Sequence, residues 1–194
     1  MSHVSPVELL TLHAVRLKGF ADERAVAGRF DLDVEATGAR LEEFASDGWI
    51  THSAFGDLAG WSLTEAGRLV NETQLAAELD TTASRESVAV VHERFLPLNA
   101  TVSAACSNVQ LDPAPETFER SWEELSVVAE RLHGLEHDLV AGLSRFAGYH
   151  RRFTTALFRA DDDPAWLTGT DVDSCHRVWF ELHEDLIATL GLSR

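Results

Sequence analysis

Apolar positions in the first third of the chain follow a helical period, interrupted by one stretch that alternates. Leu9, Leu10, His13, Ala14 and Leu17 share one face of a helix that stops at Gly19. Ahead of them, Ser5-Pro6-Val7-Glu8 has the pattern of a capping box, with Ser5 as cap, Pro6 at the first helical position and Glu8 reaching back. Asp22 opens a short second helix through Arg29, with Ala25, Val26 and Phe30 apolar. Asp33 caps a third helix that carries Val34, Leu41, Phe44 and Ala45 and ends at Asp47-Gly48. Trp49-Ile50-Thr51-His52 and Gly60-Trp61-Ser62-Leu63 then read as two short strands, with Ser53 to Ala59 as a hairpin tip around Gly56-Asp57. Thr64 caps a fourth helix, Glu65 to about Leu79.

Beyond a polar break at Asp80 to Ser84, where the pattern places a domain boundary, every periodic segment is helical. Ser84 caps a helix with Val88, Val91 and Phe95 inside, Pro97 interrupts it, and a small-residue helix follows from Leu98 to about Val109. After the loop Leu111 to Pro115, the longest helix runs from Glu116 to about Phe146, with Leu125, Val128, Leu132, Leu135, Leu139 and Phe146 on one face. Gly148 breaks the chain before a helix from Tyr149 to Arg159, and Asp161 to Pro164 make a turn. Asp171 or Asp173 starts the last helix, whose stripe is Val172, Cys175, Trp179, Leu182, Leu186 and Leu190. Trp179, at the centre of that stripe, is expected to be buried.

Three helices, a hairpin and a further helix make a winged helix-turn-helix. The expected fold is therefore mainly α: a winged helix-turn-helix domain over 1–80, with a three-helix core and a two-stranded β-hairpin, then an all-helical domain over 81–194. Two stretches carry a family resemblance. Leu41 to Ile50 is similar to a recognition helix running into a first wing strand. Leu63-Thr64-Glu65-Ala66-Gly67-Arg68 resembles the signature that follows the second strand in MarR-type and PadR-type transcriptional regulators. Val178 to Leu186 resembles a group of actinobacterial proteins described as MarR-like regulators. The resemblance implies a homodimeric, DNA-binding transcriptional regulator whose helical domain binds a small-molecule effector or dimerises. The alternative is a winged-helix protein-interaction module that does not bind DNA, and a looser resemblance to winged-helix segments attached to phosphoenolpyruvate-utilising enzymes implies an association with such enzymes.

Charge bears on that choice. The 194 residues hold 32 acidic and 16 basic side chains, a net of −16, and Lys18 is the single lysine. Residues 1–80 carry 14 acidic and 6 basic residues, so the acidity includes the segment that should touch DNA. An acidic chain is repelled by nucleic acid and by anionic membranes. A winged helix reads bases with its third helix and holds phosphates with its wing. Here those groups are Thr37 and Arg40 on the helix and His52 and Ser53 on the wing, opposed by Asp33, Glu35, Glu42, Glu43 and Asp57. Arg24, Arg29 and Arg68 add phosphate contacts if they share a face.

The helical half offers further candidates. His176, Phe180, His183 and Ile187 form a second stripe beside the apolar one. With Trp179 and Trp122 they suit either a pocket for an effector bearing an aromatic or acidic group, or a core in which the histidines bond to acids such as Asp173 or Glu184. His133 and His137, four apart with Glu136 between, share a helix face but lack a third metal ligand. Tyr149-His150-Arg151-Arg152 is the one local basic cluster, fit for an anion or for pairing with nearby acids. Cys106 and Cys175 read as reduced, buried thiols or as a redox pair. No nucleophile–base pair, phosphate loop or complete metal motif is present, so no enzyme, cofactor or metal is expected. The first residues lack a basic segment followed by an apolar run, and no run approaches a membrane span, so a cytoplasmic protein is expected.

Overall fold

The periodic segments become helices, and Asp22, Asp33 and Thr64 cap theirs as the sequence predicts. In a computed structural model, which describes residues 2–56 and 58–192, the chain is mainly helical with one two-stranded antiparallel sheet. It divides into two compact units, His3–Ala83 with Ile187–Arg194, and Met1–Ser2 with Ser84–Leu186. The last helix thus contributes residues to both.

The first unit contains α1 (Val7–Lys18), α2 (Glu23–Arg29), α3 (Val34–Ser46), β1 (Ile50–Phe55), β2 (Leu58–Leu63) and α4 (Glu65–Thr82). Asp22 and Asp33 cap α2 and α3 by accepting from Ala25 N and Ala36 N, each at 2.8 Å. Thr64 caps α4 by accepting from Gly67 N at 3.0 Å. Ser5 does not cap α1: Pro6 takes that position, and the Ser5 hydroxyl donates to Glu78 on α4. A tertiary carboxylate outcompetes the local bond. The core is Leu12, Ala14, Val15, Val26, Leu41, Phe44, Ile50 and Trp61.

The hairpin is longer than its alternation indicated. The ladder runs from Ile50↔Leu63 to Phe55↔Leu58, so Ser53 to Phe55 and Leu58 to Ala59 are paired strand and not loop. Nothing in Ser53 to Phe55 breaks an extended backbone, and Gly56 at φ 60° suits a tight turn. Asp57, expected at the tip, lies outside the described residues. Gly67 is fixed by a close approach. A Cβ there would stand 1.9 Å from the Trp49 carbonyl oxygen, which accepts from Thr64 N at 2.9 Å. The polar run at Asp80 stays helical: Thr81 and Thr82 hydroxyls donate back to Ala77 O and Glu78 O, and the helix ends only where Ala83 turns left-handed, at φ 51°.

The second unit contains α5 (Arg85–Leu111), α6 (Pro115–Gly142), a 3-10 turn (Ser144–Phe146), α7 (Tyr149–Ala160), α8 (Ala165–Thr168) and most of α9 (Cys175–Leu190). Pro97 does not interrupt α5. Burial of Val88, Val91 and Phe95 before it, and of Val102, Ala105 and Cys106 after it, holds one continuous helix. Those contacts exceed the roughly 3 kcal/mol that an interior proline costs. Ser84 sits at the N-terminus of α5 without a side-chain capping bond. The sixth helix stops at Gly142, short of Phe146, where Leu143 becomes extended. The last helix starts at Cys175 because Ser174, not Asp171 or Asp173, accepts from Arg177 N at 3.2 Å. Among the described residues, no helix is long and apolar enough to cross a membrane.

Candidate functional site

The third helix and hairpin present few groups to a nucleic acid. Thr37 is buried, and His52 is exposed with its ring 4.7 Å from that of Trp61. Ser53 is half-buried in the ladder. Arg40, the one cation on α3, donates to Glu8 of α1 at 2.9 Å. Around it Asp33, Glu35, Glu42 and Glu43 are exposed. Arg29 is buried and stacks on the Phe30 ring at 4.3 Å, whereas Arg24 and Arg68 are exposed. The hairpin end shows apolar surface instead of cations, with Phe55 70% and Leu58 69% exposed.

Of the five aromatic and histidine candidates of the second unit, Trp179 and His183 share one aromatic neighbour, Phe95. Trp179 is buried as its stripe predicted. It stacks on Phe95 at 4.7 Å and donates from Nε1 to Asn99 Oδ1 at 3.0 Å. His183 lies against the same Phe95 ring at 5.2 Å. Trp122 donates to Leu157 O at 3.0 Å, toward α7. His176 is half-buried, and Phe180 is 49% exposed. A cleft of about 350 Å³ in this unit is lined by other residues, His133, Glu136, His137, Val140, Ala141 and Ala147. Glu136 there caps α7, accepting from Gly148 N at 3.1 Å and His150 N at 2.6 Å. His133 and His150 rings lie 4.9 Å apart. Among the described residues, no group of three or more His, Cys, Asp or Glu is placed to hold a metal ion.

A chain of arginine–carboxylate contacts runs from the interior of the unit toward its surface. Arg145, fully buried, donates to Asp185, also fully buried, whose second oxygen accepts from the Tyr149 hydroxyl at 2.8 Å. One helical turn along α7, Arg152 makes a two-pronged contact with Asp173, at 2.8 and 2.6 Å, and reaches Glu181 at 2.7 Å. Arg152 therefore answers the basic cluster by pairing with acids, while Arg151 is exposed. Burial pulls the Arg152 guanidinium pKa down, but its hydrogen bonding to Asp173 and the charges of Glu181 and Asp173 outweigh that and raise it. The network was missed in the sequence as a whole. The signal that could have found it is Glu181 and Asp185, four apart on one side of a largely buried helix, with Arg145, Tyr149 and Arg152 at near-helical spacing.

Cys106 and Cys175 are both free and buried. Burial pushes the Cys106 thiol up to about 11. It pushes Cys175 higher still, with a further contribution from Cys106. Neither has the cationic surroundings of a reactive thiolate.

Compared with known proteins, the chain matches no family model, no curated protein and no solved structure.

Proposed function

We propose that the chain is a regulatory protein of the winged helix-turn-helix class whose first unit works through protein contacts and not through DNA. The order of elements, three helices, a hairpin and a fourth helix, supports the winged-helix reading. The observation that carries the protein-contact reading is the ion pair of Arg40 with Glu8. DNA affinity comes mainly from counterion release by cations on phosphates. With Arg40 engaged, Thr37 buried and no Lys or Arg in the hairpin, the face that would enter a groove has acids to offer and little else. The second unit is proposed as the effector-binding or dimerisation part.

A second reading, a MarR-like DNA-binding repressor or activator, is favoured by exposed Arg24 and Arg68, which sit in the first turns of α2 and α4. Anisotropy titration of labelled genomic DNA fragments with the full chain separates the two. The expected result is weak binding confined to low salt, with a shallow salt slope that Arg40→Ala leaves nearly unchanged. Tight binding at physiological salt that survives Arg40→Ala would move the function to DNA, gripped by Arg24 and Arg68.

A further inference from the structure

The sequence offers two imidazoles on one helix face, and the fold brings a third from the next helix. His133 and His137 stand one turn apart on α6, and both are exposed. With Glu136, Val140, Ala141 and Ala147 they line the cleft of about 350 Å³, and no Lys or Arg is among these lining residues. Gly148, at φ 97°, leads the chain into α7. Glu136 clamps the start of α7 by accepting from the N–H groups of Gly148 and His150. The clamp fixes the backbone of His150, whose ring lies against that of His133, centres 4.9 Å apart and planes inclined at 55°. Two imidazoles bound to one tetrahedral ion, with metal–nitrogen bonds of about 2.0–2.1 Å, hold their ring centres about 5 Å apart.

We propose that His133, His150 and His137 bind a divalent transition-metal ion, with water completing its coordination. The inference goes beyond the proposed function, since it holds whether the first unit contacts protein or DNA. Two of the rings already stand at a spacing that one ion can bridge. His137, exposed and one turn along, joins them by rotating about its side-chain bonds, so the three form no ready-made ligand group before the ion arrives. Imidazole nitrogens suit Zn²⁺, Ni²⁺ and Cu²⁺, whereas Mg²⁺ and Ca²⁺ require oxygens. Glu136 is a positioning residue and not a ligand, because both its oxygens are engaged by α7. Its charge, like the net −16 of the chain, favours a cation in the cleft over an anion.

The test is calorimetric titration of the untagged full chain with Zn²⁺, and with Mg²⁺ as the control for unspecific attraction to an acidic surface. One Zn²⁺ per chain is expected, held at least about a hundredfold more tightly than Mg²⁺. His133→Ala, His137→Ala and His150→Ala should each weaken Zn²⁺ by more than about tenfold, the lower bound for losing even an outer-shell partner of a metal site. His176→Ala, in the same unit but not among the residues lining the cleft, should leave binding unchanged. Long-range ¹H–¹⁵N NMR of the imidazoles reads the same contact without any substitution, which keeps the test open if His150→Ala does not fold. Zn²⁺ should move the ring nitrogens of these three and spare the other six of the nine histidines. Zn²⁺ bound no better than Mg²⁺, shifts spread over all nine rings, or binding unchanged in any of the three folded variants would overturn the site.

Discussion

Two arginine–carboxylate pairs, one in each unit, have the same chemistry and opposite surroundings. Arg40 and Glu8 meet near the surface, with Glu8 55% and Arg40 26% exposed. Arg145 and Asp185 meet with no side-chain exposure at all, and Tyr149 also donates to the carboxylate. A surface pair contributes little to stability, so its weight lies in what it withholds: the one cation α3 could offer. A buried pair contributes little over an apolar replacement, yet each partner strictly requires the other, because a lone charge cannot stay in the core. Position in the fold, and not the bond, decides whether such a pair bears on function or on foldedness.

The sharpest way to break this contrast is to remove one buried partner. Asp185→Ala removes a fully buried counter-charge of Arg145 and should destabilise the chain by about 3–5 kcal/mol in urea melts. Replacing Arg145 and Asp185 together by Met and Leu should recover most of the loss. Trp179→Ala, which empties an aromatic site on the same helix without touching charge, should cost a comparable 3–5 kcal/mol or so. A much smaller value would mean that the helix is held by its ion pairs and not by packing. In the first unit the largest effect belongs to a glycine. Gly67→Ala forces a Cβ against the Trp49 carbonyl and should cost about 1–3 kcal/mol, read as a lowered melting temperature. Arg40→Ala should change stability by no more than about 1 kcal/mol. A loss matching that of Asp185→Ala would end the distinction between the pairs.

The smallest effect is chemical. Both thiols should resist a disulfide reagent at pH 8 in the folded chain and react at once in urea, because burial keeps them protonated. The sign of the pH dependence follows. An unfolded Cys106 thiol loses its proton near 9 and the folded one only near 11, so stability falls as pH rises between those values. Rapid labelling of the native state would show that the second unit opens readily around α5 and α9.

What the sequence disclosed was local. Asp22, Asp33 and Thr64 announce their helices because each cap bond closes over three residues. Trp179 declares its burial through the spacing of its own helix. What stayed hidden depended on contacts far along the chain. Glu8 reads as part of a capping box, and its partner Arg40 lies 32 residues away. Ser5 reads as a cap and bonds to a residue 73 positions on. The face of α3 was therefore legible as acidic, but not as a face whose single cation is already engaged. Arg145 gave no signal alone, since nothing in its neighbourhood marks Asp185, 40 residues later, as its counter-charge. Pro97 misled for a related reason: its local penalty is visible, whereas the packing that overrides it is not.

The first unit is not a continuous stretch of chain, and this has a consequence during synthesis. Ala188 packs with Leu9 and Leu75, so one of its hydrophobic clusters draws on residues translated more than a hundred codons after the others. A ribosome that has just released Ala83 has exposed a bundle with Leu9 and Leu75 still uncovered at that point, and the whole second unit must emerge before Ile187–Arg194 can arrive. The nascent polypeptide therefore carries an unfinished apolar surface for most of its elongation. Arrested chains ending shortly after Ala83 should be cut by protease within α1 and α4 far faster than the completed protein.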